Sequence, residues 1–291
     1  MEVSGKTKVF CVIGDPIDHS LSPIMHNAAF RHLKIDAVYV AFKVEEGTLE
    51  DAVKGMRSLG VCGVNVTMPH KTAIVNYLDE IDPAAKFVGA VNTVLNADEK
   101  LVGFNTDGIG ALRALEENHV KPRGKKFLLL GAGGAGRAIA FQLAQEADEL
   151  VILNRDADKA RVLADALRKG FNKKVVGESL SHNVLKDWIK DADVLINATS
   201  VGMHPHQNET LVEKSLLRPK LTVMDIVYDP IETRLLKDAK SVEAKVIYGT
   251  EMLVFQGAAC FEIWFNRPAP VNLMREAIME RLQARGLSFE R

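Results

Sequence analysis

The sequence has little cysteine: three residues in 291, Cys11, Cys62 and Cys260, odd in number and far apart. That spacing excludes a disulfide framework and a cysteine-rich metal site, and it predicts a chain that works in the reducing cytoplasm. An excess of charge of one sign is also lacking. Lysine and arginine total 37 against 38 acidic residues, a formal net charge of -1. No broad basic field is there to hold a nucleic-acid backbone or an anionic membrane surface, so neither is expected as a partner. No apolar stretch reaches the ~18 to 20 residues that a membrane span requires. An export signal is not expected either, because the strand-like run after residue 8 breaks at Gly14-Asp15-Pro16. Repeats of fixed period and low-complexity tracts are absent. His204 and His206 flank Pro205 without a carboxylate or cysteine set beside them, so no metal is predicted.

What is present is an ordinary globular composition, 47% hydrophobic and 26% charged. At ~100 to 200 residues per domain, the length favours two domains. Apolar β-rich runs at 9–13, 37–42, 61–66, 91–95 and 101–104 alternate with helical patterns at 22–33, 48–59 and 71–78. This alternation predicts an α/β fold with a largely parallel sheet. A polar stretch punctuated by Pro122 and Gly124 marks a junction. Beyond it, strands at 127–130, 150–153, 194–196 and 221–224 and helices at 134–145 and 156–167 follow the rhythm of a Rossmann-like, doubly wound nucleotide domain. From Met252 the chain reads as two helices separated by Pro268-Ala269-Pro270, with Met252, Phe255 and Ala259 at core spacing.

Three clusters carry chemistry. Gly131-Ala132-Gly133-Gly134-Ala135-Gly136 follows an apolar strand and opens an Ala-rich helix, the context in which glycines let a backbone approach a dinucleotide pyrophosphate. The place after the next strand, where an acidic residue would bind the ribose of NAD, holds Asn154 and then Arg155, with Lys159 one turn further on. A guanidinium there suits a 2′-phosphate and favours NADP. Asp156 leaves a second reading open, since it could cap the helix that follows or address a ribose hydroxyl as in an NAD site.

The second cluster, Asn65-Val66-Thr67-Met68-Pro69-His70-Lys71, lies where a buried strand gives way to a helix. Lys71 is electrostatically mismatched with a helix start, which marks it as an acid–base candidate; a solvated lysine is the alternative. His70 reads as a structural hydrogen-bonding group. The third cluster sets Ala90-Val91-Asn92-Thr93 beside Asn105-Thr106-Asp107-Gly108. Here Asp107 could instead cap the helix it precedes, and Asn92 could close a turn.

Together with Ser20-Leu21-Ser22-Pro23, Met25-His26-Asn27, Asn197-Ala198-Thr199-Ser200-Val201-Gly202-Met203, Asp225 to Tyr228, Gly249 and Gln256, these residues resemble the shikimate dehydrogenase family in order and over nearly the whole chain. The resemblance implies a substrate domain at 1–111, completed by helices at 252–291, with an NADP-binding domain at 112–251 and reactants meeting between them. It implies reversible NADPH-dependent reduction of 3-dehydroshikimate to shikimate. Lys71 and Asp107 would be the catalytic pair, and Ser20 and Ser22 would hold the substrate carboxylate. Thr67, Asn92 and Gln256 would meet ring hydroxyls, with Tyr228 near substrate and nicotinamide. The cofactor would be held by residues 131–136, Asn154, Arg155, Asp156, Lys159, Thr199, Ile226 and Gly249. Ser22 could also cap the helix that opens with Pro23. A quinate/shikimate enzyme of dual specificity, with NAD as an alternative cofactor, and a non-catalytic NADP- or shikimate-binding regulator are the competing readings. The expected assembly is a monomer or homodimer.

Overall fold

The computed structural model describes residues 2–98 and 100–284. In chain order the first stretch comprises β1 (Lys8–Gly14), α1 (Ser22–His32), β2 (Ala37–Lys43), α2 (Leu49–Ser58), β3 (Gly63–Val66), β4 (Glu80–Ile81), α3 (Pro83–Val88), β5 (Thr93–Ala97) and β6 (Lys100–Phe104). The second comprises α4 (Asp107–Glu117), β7 (Lys126–Leu130), α5 (Gly134–Glu146), β8 (Glu149–Asn154), α6 (Ala157–Phe171), β9 (Lys174–Ser179), α7 (His182–Ile189), β10 (Val194–Asn197), β11 (Thr222–Asp225), α8 (Arg234–Lys240) and β12 (Lys245–Ile247). Helices α9 (Gly249–Phe265) and α10 (Val271–Ala284) follow. Two compact units result: one ends at Asp107 and resumes at Val254, and the other is Gly108–Leu253.

The first unit is built on a six-stranded sheet of order β2-β1-β3-β5-β6-β4. Alternation along β1 serves both faces. Cys11 and Ile13 join a core with Val53, Met56, Val64 and Ile74. Phe10 points the other way, against Phe30 of α1 and Trp264 and Phe265 of α9. Helix α2 shows why its sequence folds as it does: Leu49, Val53 and Met56 recur on one face and are its buried residues. Helix α3 starts where Asp82 accepts the Ala84 N–H and Pro83 takes the first turn, and it ends at Gly89 with φ 68.

This sheet is largely parallel, as expected, with one strand reversed. β1, β2 and β3 are parallel, but β5 runs antiparallel to both β3 and β6. Two residues separate β5 from β6, too few for any crossover, so a hairpin is the only connection the chain can make. The helix expected at 71–78 is a 3-10 turn at Ala73–Tyr77. No α-helix starts at Lys71, so the dipole mismatch used to single it out does not arise.

The second unit matches the doubly wound expectation. Its sheet has order β12-β11-β10-β7-β8-β9, and all five pairings are parallel. Strand order reverses between β7 and β10, the place where open α/β sheets bind ligands at their strand carboxyl ends. Helix α6 buries Ala160, Leu163, Ala164 and Leu167 at helical spacing. Strands β9 and β12 and helices α7 and α8 went unread in the sequence; β9 mixes Lys174, Gly177, Glu178 and Ser179 with only two valines.

Candidate active site

In the first unit, Lys71 Nζ lies 2.6 Å from Asp107 Oδ2. The lysine side chain is about a quarter exposed and the aspartate nearly enclosed, 23% against 6%. This asymmetry leaves the ammonium as the member of the pair that a small molecule can reach. Each partner is held from behind. The Lys71 carbonyl accepts the Val91 N–H at 2.8 Å, and Asp107 Oδ1 accepts from Asn92 Nδ2 at 2.8 Å. Asn92 is therefore more than a turn residue, and the Asp107 carboxylate is committed to Lys71 and Asn92 instead of capping α4.

Thr67 follows β3, and its N–H is held by the Ile13 carbonyl at 3.0 Å. Gly14 is needed beside it, because a Cβ there would sit 2.4 Å from Thr67 Cγ2 and 2.8 Å from the Met68 carbonyl. His70 Nε2 meets the Val44 carbonyl at 2.7 Å, the structural bond expected of it. Ser20 Oγ accepts the Ser22 N–H at 3.4 Å, and Leu21, with no side-chain bond, occupies the cap position of α1. The capping role allowed for Ser22 is thus not taken. Burial holds the Tyr39 phenol well above the ordinary tyrosine value, with Ser22 acting in the opposite direction. Tyr39 Oη donates to Asn65 Oδ1 at 2.7 Å. Gln256 lies on α9 within this same unit, while Tyr228 and Gly249 lie in the other.

The second unit gathers the nucleotide candidates at its switch point. Gly131 holds φ 105, which an L side chain rarely adopts, and a Cβ there would meet the Ala198 carbonyl at 2.9 Å and Thr199 Cγ2 at 3.0 Å. A Cβ on Gly136 would lie 2.2 Å from the Gly131 carbonyl, so α5 packs directly on the loop. At Gly133 a Cβ would meet nothing within 4 Å. This residue caps α5 without a side-chain bond, and the buried Nε of Arg137 in the first turn has no hydrogen-bond partner. Open space, free helix N-terminal amides and an orphaned guanidinium nitrogen fit a pyrophosphate.

Asn154 Oδ1 accepts the Ala132 N–H at 3.1 Å, and its Nδ2 donates to the Asp156 carbonyl at 2.9 Å. Asp156 takes the capping option: it accepts from the N–H groups of Asp158 and Lys159, and these bonds, the Lys159 N–H foremost, hold its carboxyl below the usual range. Arg155 and Lys159 are exposed. Thr199 donates N–H and hydroxyl to Asn197 Oδ1. Gly249 allows α9 to start against the Ile226 and Val227 carbonyls, 2.6 and 2.3 Å from where a Cβ would sit.

Some residues were quoted in motifs without a role. Asn197, Val227 N–H and Thr233 all bond the fully buried Asp225, whose carboxyl burial pushes up to about 6. Thr93, Thr106 and Cys260 surround Asn92; only the tertiary fold brings Cys260 there, since 154 residues separate it from Thr106. Met252, Phe255 and Ala259 are core, as their spacing predicted. Among the described residues, no group of three or more His, Cys, Asp or Glu could hold a metal, and no helix is long and apolar enough to cross a membrane.

The family models for the shikimate dehydrogenase substrate binding domain, the shikimate/quinate 5-dehydrogenase and the shikimate 5'-dehydrogenase C-terminal domain match residues 12–94, 114–238 and 249–279. The chain belongs to the shikimate dehydrogenase family. The NADP(+) shikimate dehydrogenase of Methanopyrus kandleri is 48% identical over 286 residues, 97% of this chain and 99% of the relative. Among solved family members, a shikimate dehydrogenase in complex with NADP+ superposes with a TM-score of 0.90 at 44% identity, covering 96% of this chain and 97% of that one. The Listeria monocytogenes shikimate 5-dehydrogenase in complex with shikimate and NAD gives 0.88 at 42% identity, covering 95% and 98%.

Proposed function

We propose that the protein catalyses the reversible reduction of 3-dehydroshikimate to shikimate with NADPH, in the cytoplasm, as a monomer or homodimer. The observation that carries this reading is the Lys71 ammonium held at 2.6 Å by Asp107 in a chain of this family. Lys71 gives a proton to the substrate's carbonyl oxygen in reduction and takes it back in oxidation, while Asp107 fixes the position of Nζ. Bound NADPH supplies the hydride to the carbonyl carbon. Ser20 and Ser22 hold the ring carboxylate with neutral hydroxyl donors, and Thr67, Asn92 and Gln256 orient the ring hydroxyls.

The unit carrying Lys71 takes the substrate, and Gly108–Leu253 takes the cofactor. Residues 131–136 cradle the pyrophosphate. Arg155 and Lys159 receive the 2′-phosphate, a reading supported by Asp156 being engaged on the helix amides and so withdrawn from a ribose. Thr199, Ile226, Tyr228 and Gly249 frame the nicotinamide end.

Initial rates with shikimate and with quinate, each offered NADP+ and NAD+, test this assignment. Dominant turnover of shikimate with NADP+ is expected. Comparable quinate or NAD+ rates would replace it with the dual-specificity enzyme, and no turnover in any pairing would replace it with a binding protein.

A further inference from the structure

The Asn92 amide that supports Asp107 is itself enclosed by three groups from distant parts of the first unit. Thr93 is fully buried, Asn92 and Thr106 are each 2% exposed, and Cys260 is fully buried on α9. No solvent reaches them, so every donor must find its acceptor among the others.

Counting protons gives the cluster one direction. The Thr106 backbone N–H can only donate, and it lies 2.8 Å from one atom of the Asn92 amide, which is therefore Oδ1. The Thr93 hydroxyl donates to the same oxygen at 2.9 Å, filling its second lone pair. Asn92 Nδ2 then gives one hydrogen to Asp107 Oδ1 at 2.8 Å and the other to Thr106 Oγ1 at 3.0 Å. The Thr106 hydroxyl lies 3.2 Å from both Asn92 Oδ1, whose two lone pairs are already filled, and the Cys260 sulfur, and 3.3 Å from Thr93 Oγ1, so its hydrogen goes to the sulfur. The thiol hydrogen passes to Thr93 Oγ1 at 2.9 Å, which closes a ring Asn92–Thr106–Cys260–Thr93. Asn65 Nδ2, 3.0 Å from the sulfur, braces it from outside. Cys260 stays a thiol because burial raises its pKa.

We propose that Cys260 is a positioning residue for the acid–base pair: its thiol closes a hydrogen-bonded ring that keeps the Asn92 amide donating to Asp107. A side chain that both accepts and donates is required at 260; one that does neither opens the ring, and the amide, still held at its oxygen by the Thr106 N–H, donates to Asp107 less firmly. The ionised form of Asp107 is then less well supported and takes up a proton more readily. The charged group in direct contact with Asp107 is Lys71, so this change is transmitted to Nζ. The inference rests on the proposed dehydrogenase reading of that pair.

The test compares Cys260→Ala, Cys260→Ser and Thr106→Val with the parent enzyme by pH profiles of kcat and kcat/KM for shikimate oxidation. Cys260→Ala is expected to lower kcat about tenfold, the equivalent of one hydrogen bond, and to move the acid limb to higher pH, with KM for NADP+ unchanged. Cys260→Ser, which can still donate and accept, recovers most of the rate and the original limb. Parent-like kcat and acid limb in Cys260→Ala, with only thermal stability lowered, would overturn the proposal. Should Cys260→Ala not fold, Thr106→Val breaks the same ring and is read by the same profile. If the parent enzyme turns over no shikimate, the dehydrogenase reading fails separately. Titration of the Asp107 carboxyl by carbon NMR in parent and Cys260→Ala then decides the ring alone: a raised midpoint supports it, and an unchanged one overturns it.

Discussion

The Asn154 side chain spans the gap between the end of β8 and the glycine loop, its Oδ1 accepting the Ala132 N–H at 3.1 Å. Its Nδ2 is held by the Asp156 carbonyl, so one amide ties the loop to the start of α6. Asn154→Ala removes both bonds. At about 1 kcal/mol each, the variant is expected to bind NADPH roughly five- to thirtyfold more weakly, read by fluorescence titration. Unchanged affinity would mean that the loop holds its shape without this tie.

Gly133 and Gly136 make opposite predictions although they lie three residues apart. Gly136→Ala drives a Cβ against the Gly131 carbonyl and is expected to destabilise the unit by a few kcal/mol or more, of order a severe overpacking substitution. Gly133→Ala meets open space, so its melting temperature stays near that of the parent while NADPH affinity falls sharply. Thermal melts with and without NADPH separate the two. A Gly133→Ala protein that binds NADPH normally would move the pyrophosphate away from this cradle.

Arg155→Ala is expected to weaken NADPH by about tenfold or more relative to NADH, the scale of a charge-assisted hydrogen bond. The ratio of kcat/KM for the two cofactors measures it. An unchanged ratio would place the 2′-phosphate elsewhere.

The two units carry buried groups whose protons act oppositely on stability. In the first, His26 is fully buried and stacks on Tyr39 with centroids 4.6 Å apart. Neither ring nitrogen has a hydrogen-bond partner, and burial pushes the imidazole down from 6.5 to about 3. The unfolded chain then binds the proton more readily, so this contribution is fully present above pH 6.5 and drains away as pH falls toward 3, up to about 5 kcal/mol in all. In the second unit, Asp225 is raised from 3.8 to about 6, so the folded state binds the proton more readily. Its contribution, up to about 3 kcal/mol, is fully present below 3.8 and lost as pH rises through 6. His26→Phe keeps a stacked ring and removes the titration. Denaturant unfolding from pH 7 to 4 should therefore show a flatter loss of stability in His26→Phe than in the parent; identical slopes would contradict the assignment.

These networks also explain what the sequence made legible. The glycine loop was readable because its main requirement is local: Gly131 and Gly136 touch each other within one βα unit. Lys71 and Asp107 were singled out, yet the local argument for Lys71 rested on a helix that is a 3-10 turn. What puts Lys71 in place is the hydrogen bond to Val91 and the carboxylate of Asp107, 36 residues away. The antiparallel β5 was missed because alternation of strand and helix patterns does not specify direction, which here follows from a two-residue connection. Cys260 was unreadable as a partner of Thr93 and Thr106, since nothing in a helix pattern tells which polar side chain its inner face will meet.

The central claim is that Lys71 moves the proton at the substrate oxygen. Single-turnover and steady-state rates of Lys71→Met with shikimate and NADP+, alongside NADPH titration of the same protein, test it most directly. Loss of kcat by ~10²- to 10⁴-fold, the usual scale for a general acid–base group, with NADPH affinity unchanged is the expected result. Turnover within a few-fold of the parent enzyme would contradict it and remove Lys71 from the chemistry.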